Sequence, residues 1–210
     1  MKRATAPPRG LLRHERRLWA RGVERIAGVD EAGVGPLAGP VIAAAVILPA
    51  GSGIPGVNDS KRVAPARRLE VADLVRERAL AWCIGRVDPM EIDRLNIFHA
   101  TLEAMRRAVT GLVAEPQHVL VDARTIPSIP YPQEAIVKGD ARCHAIAAAS
   151  ILAKTARDEL MEEFDRNYPG YGFGTHKGYP TEAHRDAIRR LGPCPIHRMS
   201  FTLLPPPKLF

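Results

Sequence analysis

The chain has 210 residues, 46% hydrophobic and 25% charged, a balance that excludes a disordered or fibrous protein and predicts one soluble domain with a proper core, flanked by tails. Its formal net charge of +7 favours a polyanionic partner, because Lys and Arg that neutralise phosphates release counterions; a generic basic surface is the plainer reading, and charge alone does not choose between them. Cys83, Cys143 and Cys194 form no CxxC pair, which argues against a zinc site and for a reducing compartment, and the longest apolar run, Val41 to Leu48, is far below the roughly 20 residues of a membrane helix.

Residues 1–24 read as a basic N-terminal arm, a solvated tail carrying a short helix around Leu11–Ala20. It is basic without a following apolar stretch, unlike a secretory signal, and the predicted location is the cytoplasm, with no membrane partner. Arg25–Asp30 and Pro40–Leu48 are short apolar runs separated by glycine and proline, the pattern of buried strands. An amphipathic helix follows over Pro65–Arg78, then a strand over Ala79–Val87. Pro89 opens a single long helix, with Leu95, Phe98, Leu102, Met105, Val109 and Leu112 in one apolar stripe that Gly111 and Pro116 end. His118–Asp122 and Ala135–Lys138 are compact strands, Arg142–Asn167 is a long Ala-rich helix, and a last helix starts at Pro180 and stops before Gly192. The folded domain is expected over residues 25–203, and residues 204–210 form a Pro-rich C-terminal tail. This order predicts an α/β fold, a central mixed β-sheet flanked by helices, with a helical C-terminal part.

The acids fall where strands end. Asp30 and Glu31 follow the first apolar run, Asp122 closes Val119-Leu120-Val121, and Asp140 follows Ile136-Val137-Lys138-Gly139. Carboxylates at the rim of a sheet are hard oxygen ligands suited to Mg²⁺ or Mn²⁺, and clustered acids repel one another unless a cation offsets them. Two such ions can hold an attacking water and a leaving oxygen in line across a phosphate. Taken singly, each acid is more often a turn former or a helix cap. Neighbouring strand residues point to opposite faces, so Asp30 and Glu31 share a site only if the strand ends or bends there, which Gly33 and Gly35 make feasible.

The stretch Gly28-Val29-Asp30-Glu31-Ala32-Gly33-Val34-Gly35-Pro36-Leu37-Ala38-Gly39-Pro40 resembles the signature of the ribonuclease HII (type 2 ribonuclease H) family. The resemblance continues through Asn58-Asp59-Ser60-Lys61, Leu95-Asn96-Ile97 and Ala135-Ile136-Val137-Lys138-Gly139-Asp140, then Ala147-Ala148-Ala149-Ser150-Ile151-Leu152-Ala153-Lys154. It closes with His176-Lys177-Gly178-Tyr179 and His197-Arg198-Met199-Ser200-Phe201, so the blocks run in family order from about Ile26 to Phe201. Several long blocks in order are far more specific than one short motif.

The resemblance implies a ribonuclease H-like fold and an endoribonuclease acting on RNA–DNA hybrids and on duplex DNA with embedded ribonucleotides. It implies two-metal hydrolysis 5′ to the ribonucleotide, leaving 3′-hydroxyl and 5′-phosphate ends, with a role in ribonucleotide removal during repair and replication. By position, the family's metal-binding carboxylates fall on Asp30, Glu31, Asp122 and Asp140, with Asp30 and Asp122 as core ligands. Substrate contacts fall on Gly33, Val34, Gly35, Lys61, Ser150, Lys154, Lys177 and Tyr179, where the tyrosine is expected to stack on a sugar. Arg157, three residues after Lys154, is expected to share its face towards the duplex backbone, although a solvated face is an equally good reading of that pair.

Two departures stand out. Val34 replaces the arginine of the family's Gly-Arg-Gly turn, which removes a phosphate-binding guanidinium, and Ala123 replaces the glycine that usually follows Asp122 and is strained if that residue needs a positive φ. The final Lys208-Leu209-Phe210 loosely resembles peptides that dock on bacterial sliding clamps, although packing on its own domain is the plainer reading. The arm is too short for the extra N-terminal domain of type 3 enzymes, and a monomer is expected. The competing readings are another nuclease of the same fold and a catalytically weak duplex-binding protein, the latter supported only by Val34 and Ala123.

Overall fold

A computed structural model describes residues 10–58, 60 and 63–205. Lys61 and the Lys208-Leu209-Phe210 ending therefore lie outside the described residues. One mixed sheet organises the chain, in the order β3-β2-β1-β4-β5. Strands β1 (Ile26–Ala32), β2 (Val41–Ile47) and β3 (Ala81–Val87) form an antiparallel meander, while β4 (His118–Asp122) and β5 (Gln133–Ile136) join β1 in parallel. The helices in chain order are α1 (Arg13–Trp19), α2 (Pro65–Arg78), α3 (Pro89–Leu95), α4 (Ile97–Thr110), α5 (His144–Asn167), α6 (Phe173–His176) and α7 (Glu182–Leu191).

The strand alternation sorts the core into two layers. Ala27, Val29, Ala43, Ala45, Val119 and Val121 pack on α4, whereas Ile42, Ala44 and Val46 face α2 and α5. Two glycines let the layers close. A Cβ on Gly28 would lie 2.1 Å from the Ala145 carbonyl carbon of α5, and one on Gly85 would lie 2.0 Å from the Ala104 oxygen of α4. The central strand is thereby clasped directly against α5, and both of its faces are buried over its first five residues.

Two sequence expectations are corrected. The single helix from Pro89 is two helices, broken at Asn96, which adopts φ 64° and whose side chain accepts from the backbone N–H of Phe98 and His99. Asparagine caps helices well, and this cap, together with a backbone conformation that no helix interior allows, overrides the continuous apolar stripe. Phe98, assigned to that stripe, is 50% exposed.

The N-terminal arm is also not a tail over its described part. Leu11, Leu12 and Leu18 are buried, and the Glu15 carboxylate accepts from the Ala145 N–H at 2.9 Å in the first turn of α5. A residue 130 positions away thus caps the helix that packs on the central strand β1. Leu11 and Leu18, with Trp19 and Val23 beside them, therefore pack on the core instead of running as a solvated tail.

The C-terminal part is helical, with α6 and α7 around Tyr171, Phe173 and Ile196. Among the described residues no helix is long and apolar enough to cross a membrane.

Candidate active site

Strands β1 and β4 pair Val29 with Val121, one step before Asp30 and Asp122, and the alternation turns both carboxylates to the α5 face. Glu31 follows on the other face. From the sequence, the two acids share a site only if the strand ends or bends there; β1 runs on to Ala32 before it ends, and Glu31 pairs with Ala43 of β2. The three acids still converge, each offering an oxygen within 4.8 Å of the others. Strand β4 stops at Asp122, so nothing of it separates the two faces beyond that point and the longer Glu31 side chain reaches the edge.

Asp30 is the buried member, 6% exposed. Burial pushes its carboxyl well above the usual range, and the neighbouring Glu31 and Asp122 charges add to this, while a hydrogen bond from Ser150 partly opposes it. Its Oδ1 also accepts from the Glu31 N–H at 2.8 Å, and the Ser150 hydroxyl lies 2.8 Å from that of Ser60. Asp122 Oδ1 accepts from the Gly139 N–H at 2.6 Å, which ties the end of β4 to the 3-10 turn Gly139–Ala141. Asp140 sits on that turn, its Oδ1 held by the Ala141 N–H at 2.9 Å. It lines the same cavity of about 220 Å³ without belonging to the tight trio.

This donor set fits a divalent cation of the hard, oxygen-seeking kind. Crowded carboxylates, one of them buried and disfavoured as an anion, gain most from a positive ion placed between them.

The Gly33–Pro40 loop forms another wall, held from behind by two buried arginines. Arg157 donates to the carbonyls of Pro40, Lys177 and Ala38, and Arg198 to those of Gly39, Val34 and Gly33, at 2.6–3.1 Å. Burial lowers their pKa values to about 10 and about 9, so both stay charged at neutral pH. Gly33 adopts φ 95°, and a Cβ there would meet Arg157 Nε at 2.1 Å, so no other residue fits. Gly35 is different. A Cβ would find the Tyr179 ring at an ordinary 3.7 Å, and its absence widens the space beside that ring.

Of the other sequence-predicted residues, Val34, Ser150, Lys154 and Tyr179 line the acidic cavity. Tyr179 is 44% exposed, free to meet a ligand, and the Lys154 ammonium donates to Asp158 at 2.6 Å. Lys177 lines a neighbouring cavity instead, its ammonium 2.9 Å from Glu162. Arg157 is corrected from a duplex-facing position to a fully buried one, because its stretch of α5 lies under the glycine loop. The backbone at Ala123 decides whether that departure matters. It adopts φ 56°, the left-handed region in which alanine is strained. Three contributors escape a reading of the sequence, namely Ser60, Arg198 and Glu15. The first two lie inside the motif blocks without standing out there, and nothing local marks Glu15 as a remote cap.

Comparison with known proteins gives the family and the fold. The family model described as Ribonuclease HII matches residues 27–204. A protein of Moorella thermoacetica named Ribonuclease HII is 59% identical over 187 residues, covering 89% of this chain and 91% of its own length. One of Myxococcus xanthus with the same name is 56% identical over 92% of this chain, and the chain spans 66% of that relative's length. The crystal structure of the ribonuclease H2 from Pyrococcus horikoshii OT3 superimposes with a TM-score of 0.73 at 26% identity, over 85% of this chain and 94% of that one.

Proposed function

The chain belongs to the ribonuclease HII family, a family of metal-dependent endoribonucleases, and on that premise we propose that it cuts the phosphodiester bond 5′ to a ribonucleotide, in RNA–DNA hybrids and in duplex DNA with embedded ribonucleotides. The products carry 3′-hydroxyl and 5′-phosphate ends, and the cellular role is ribonucleotide removal during repair and replication. The convergence of Asp30, Glu31 and Asp122 within 4.8 Å carries this reading.

Asp30 and Asp122 would be the core ligands of a Mg²⁺ or Mn²⁺ pair, with Glu31 and Asp140 completing the sites from the rim. Such ions, when bound, make water a usable nucleophile at neutral pH and stabilise charge on the phosphoryl oxygens. The chain's own groups do the positioning. Ser150 holds the Asp30 carboxylate in place, and the Gly139 N–H holds that of Asp122. The Gly33-Val34-Gly35 backbone and the Tyr179 ring face the same cavity, where peptide groups and an exposed aromatic suit a 2′-hydroxyl and its sugar. Lys154 adds positive charge on the α5 side. Lys61 and Lys177 are proposed as phosphate contacts, Lys177 from the neighbouring cavity, and docking of Lys208-Leu209-Phe210 on a sliding clamp is tested by a clamp pull-down with Leu209 and Phe210 deleted.

The deciding assay is a duplex with one ribonucleotide beside an all-DNA control. Metal-dependent cutting of the first alone is expected, and equal cutting of both favours another nuclease of this fold. Asp122→Asn is expected to abolish cleavage with duplex binding largely retained. Undiminished turnover in that variant overturns the site assignment.

A further inference from the structure

We propose that α1 and the turn carrying Asp140 together form a phosphate-binding cleft, in which Arg13, His14, Arg17 and Arg142 take the backbone of the bound duplex beyond the Asp140 side of the acidic cavity. It rests on the duplex-cutting reading above and extends it to a part of the chain outside that site.

A concave space of about 340 Å³ is lined by these four residues, and a second of about 380 Å³ adjoins it with Arg13, His14 and Arg142 in common. The cations come from segments far apart in sequence and are brought together by the packing of Leu11 and Leu18 on the core. Arg13, Arg17 and Arg142 are exposed. Among the described residues these cations meet one acid, Glu134 on β5, which pairs with Arg17 and lies 3.7 Å from His14. Arg142 donates to the Val137 carbonyl at 3.1 Å, and the Arg13 guanidinium has no partner among the described residues. A concave wall with three guanidiniums and one carboxylate is a region of positive potential that an anion relieves, and guanidinium forks match phosphate oxygens in geometry.

Its position selects the occupant. Asp140 lines the acidic cavity, and the next two residues, Ala141 and Arg142, line the basic space. The cleft thus begins one residue beyond an acid of the site, and a duplex whose scissile phosphate lies over the acids can extend its backbone towards Arg142 and Arg13. No base edge need be read there, so the cleft strengthens binding without sequence preference.

The test compares wild-type protein with the double variant Arg13→Ala, Arg142→Ala, both in an Asp122→Asn background for binding. The probe is a fluorescent duplex with one ribonucleotide and long flanks, read by anisotropy over a salt series. The slope of log affinity against log salt is expected to fall by about 0.9 for each phosphate that the variant no longer neutralises. In the active background, KM is expected to rise about 5- to 10-fold with kcat unchanged, consistent with a loss of about 1 kcal/mol or a little more of uniform binding. Two duplexes, each truncated on one side of the ribonucleotide, locate the cleft on the duplex, since the variant and wild type should converge on one of them. Equal salt slopes and equal KM values on the long duplex overturn the cleft. Failure of the wild type to cut any ribonucleotide duplex overturns the functional reading instead, and leaves the salt slopes to decide the cleft.

Discussion

Two groups of like charge adjoin the Gly33–Pro40 loop, each with at least one buried member, and they are handled in opposite ways. Asp30, Glu31 and Asp122 are like charges placed together, with burial and mutual repulsion both disfavouring the Asp30 anion. Arg157 and Arg198 are also like charges near each other, yet each guanidinium meets three backbone carbonyls. The arginines are satisfied by the fold itself and act as scaffold. The acids are left in a state that a bound cation improves. A buried charge therefore does not mark a functional site by itself; the informative observation is whether the protein supplies its compensation.

The arginine side of this contrast predicts the largest stability effect. Replacing Arg198 by Met removes the donor from the carbonyls of Gly33, Val34 and Gly39. Buried acceptors left without donors cost about 1–3 kcal/mol each, so a loss of about 3 kcal/mol or more is expected. Arg198→Lys should recover only part of it, because an ammonium does not span a fork of three oxygens. Denaturant unfolding checks this, and a loss below about 1 kcal/mol for the Met variant would mean that the loop does not depend on the guanidinium.

The acid side predicts the opposite sign. The folded-state pKa of Asp30 lies above its unfolded value, so the folded chain holds this proton more tightly. Its contribution to stability is then present at low pH and is lost as pH rises from the unfolded pKa through the folded one. Asp30→Asn should accordingly raise the melting temperature at neutral pH in the absence of metal. Wild type should gain stability on addition of Mg²⁺ or Mn²⁺, and the variant should gain much less. A variant that melts below wild type without metal would mean that Asp30 is compensated by the fold after all, and would erase the contrast between the two charge groups.

How much of this is legible in the sequence depends on the range of the interaction. The strands and most helices are readable because apolar periodicity is local, and the acids because each closes an apolar run. Helix α3 merges with α4 in the sequence pattern because Asn96 interrupts the stripe through backbone conformation, which hydrophobic spacing does not register. The convergence of Glu31 with Asp30 is readable only as a condition, since it depends on where β4 stops. Arg157 is misplaced by its spacing because a shared helix face says nothing about what covers it, and Glu15 stays hidden because its partner is 130 residues away.

Ala123 gives the smallest and sharpest test. It follows Asp122 at φ 56°, with its N–H bonded to the Ile136 carbonyl at 3.0 Å, so the turn that aims the acid is held in a conformation alanine resists. The left-handed region costs a non-glycine residue about 1–2 kcal/mol, and glycine returns about 0.5–1 kcal/mol of that as backbone entropy. Ala123→Gly should therefore stabilise the protein by no more than about 1 kcal/mol, with turnover unchanged or slightly raised. Ala123→Val should destabilise it, because a β-branched side chain tolerates positive φ less well than alanine. Unfolding midpoints of the three proteins should rank Gly above Ala above Val, and identical midpoints for Gly and Val would mean that the residue behind Asp122 is not held at positive φ and that the departure from glycine has no structural consequence.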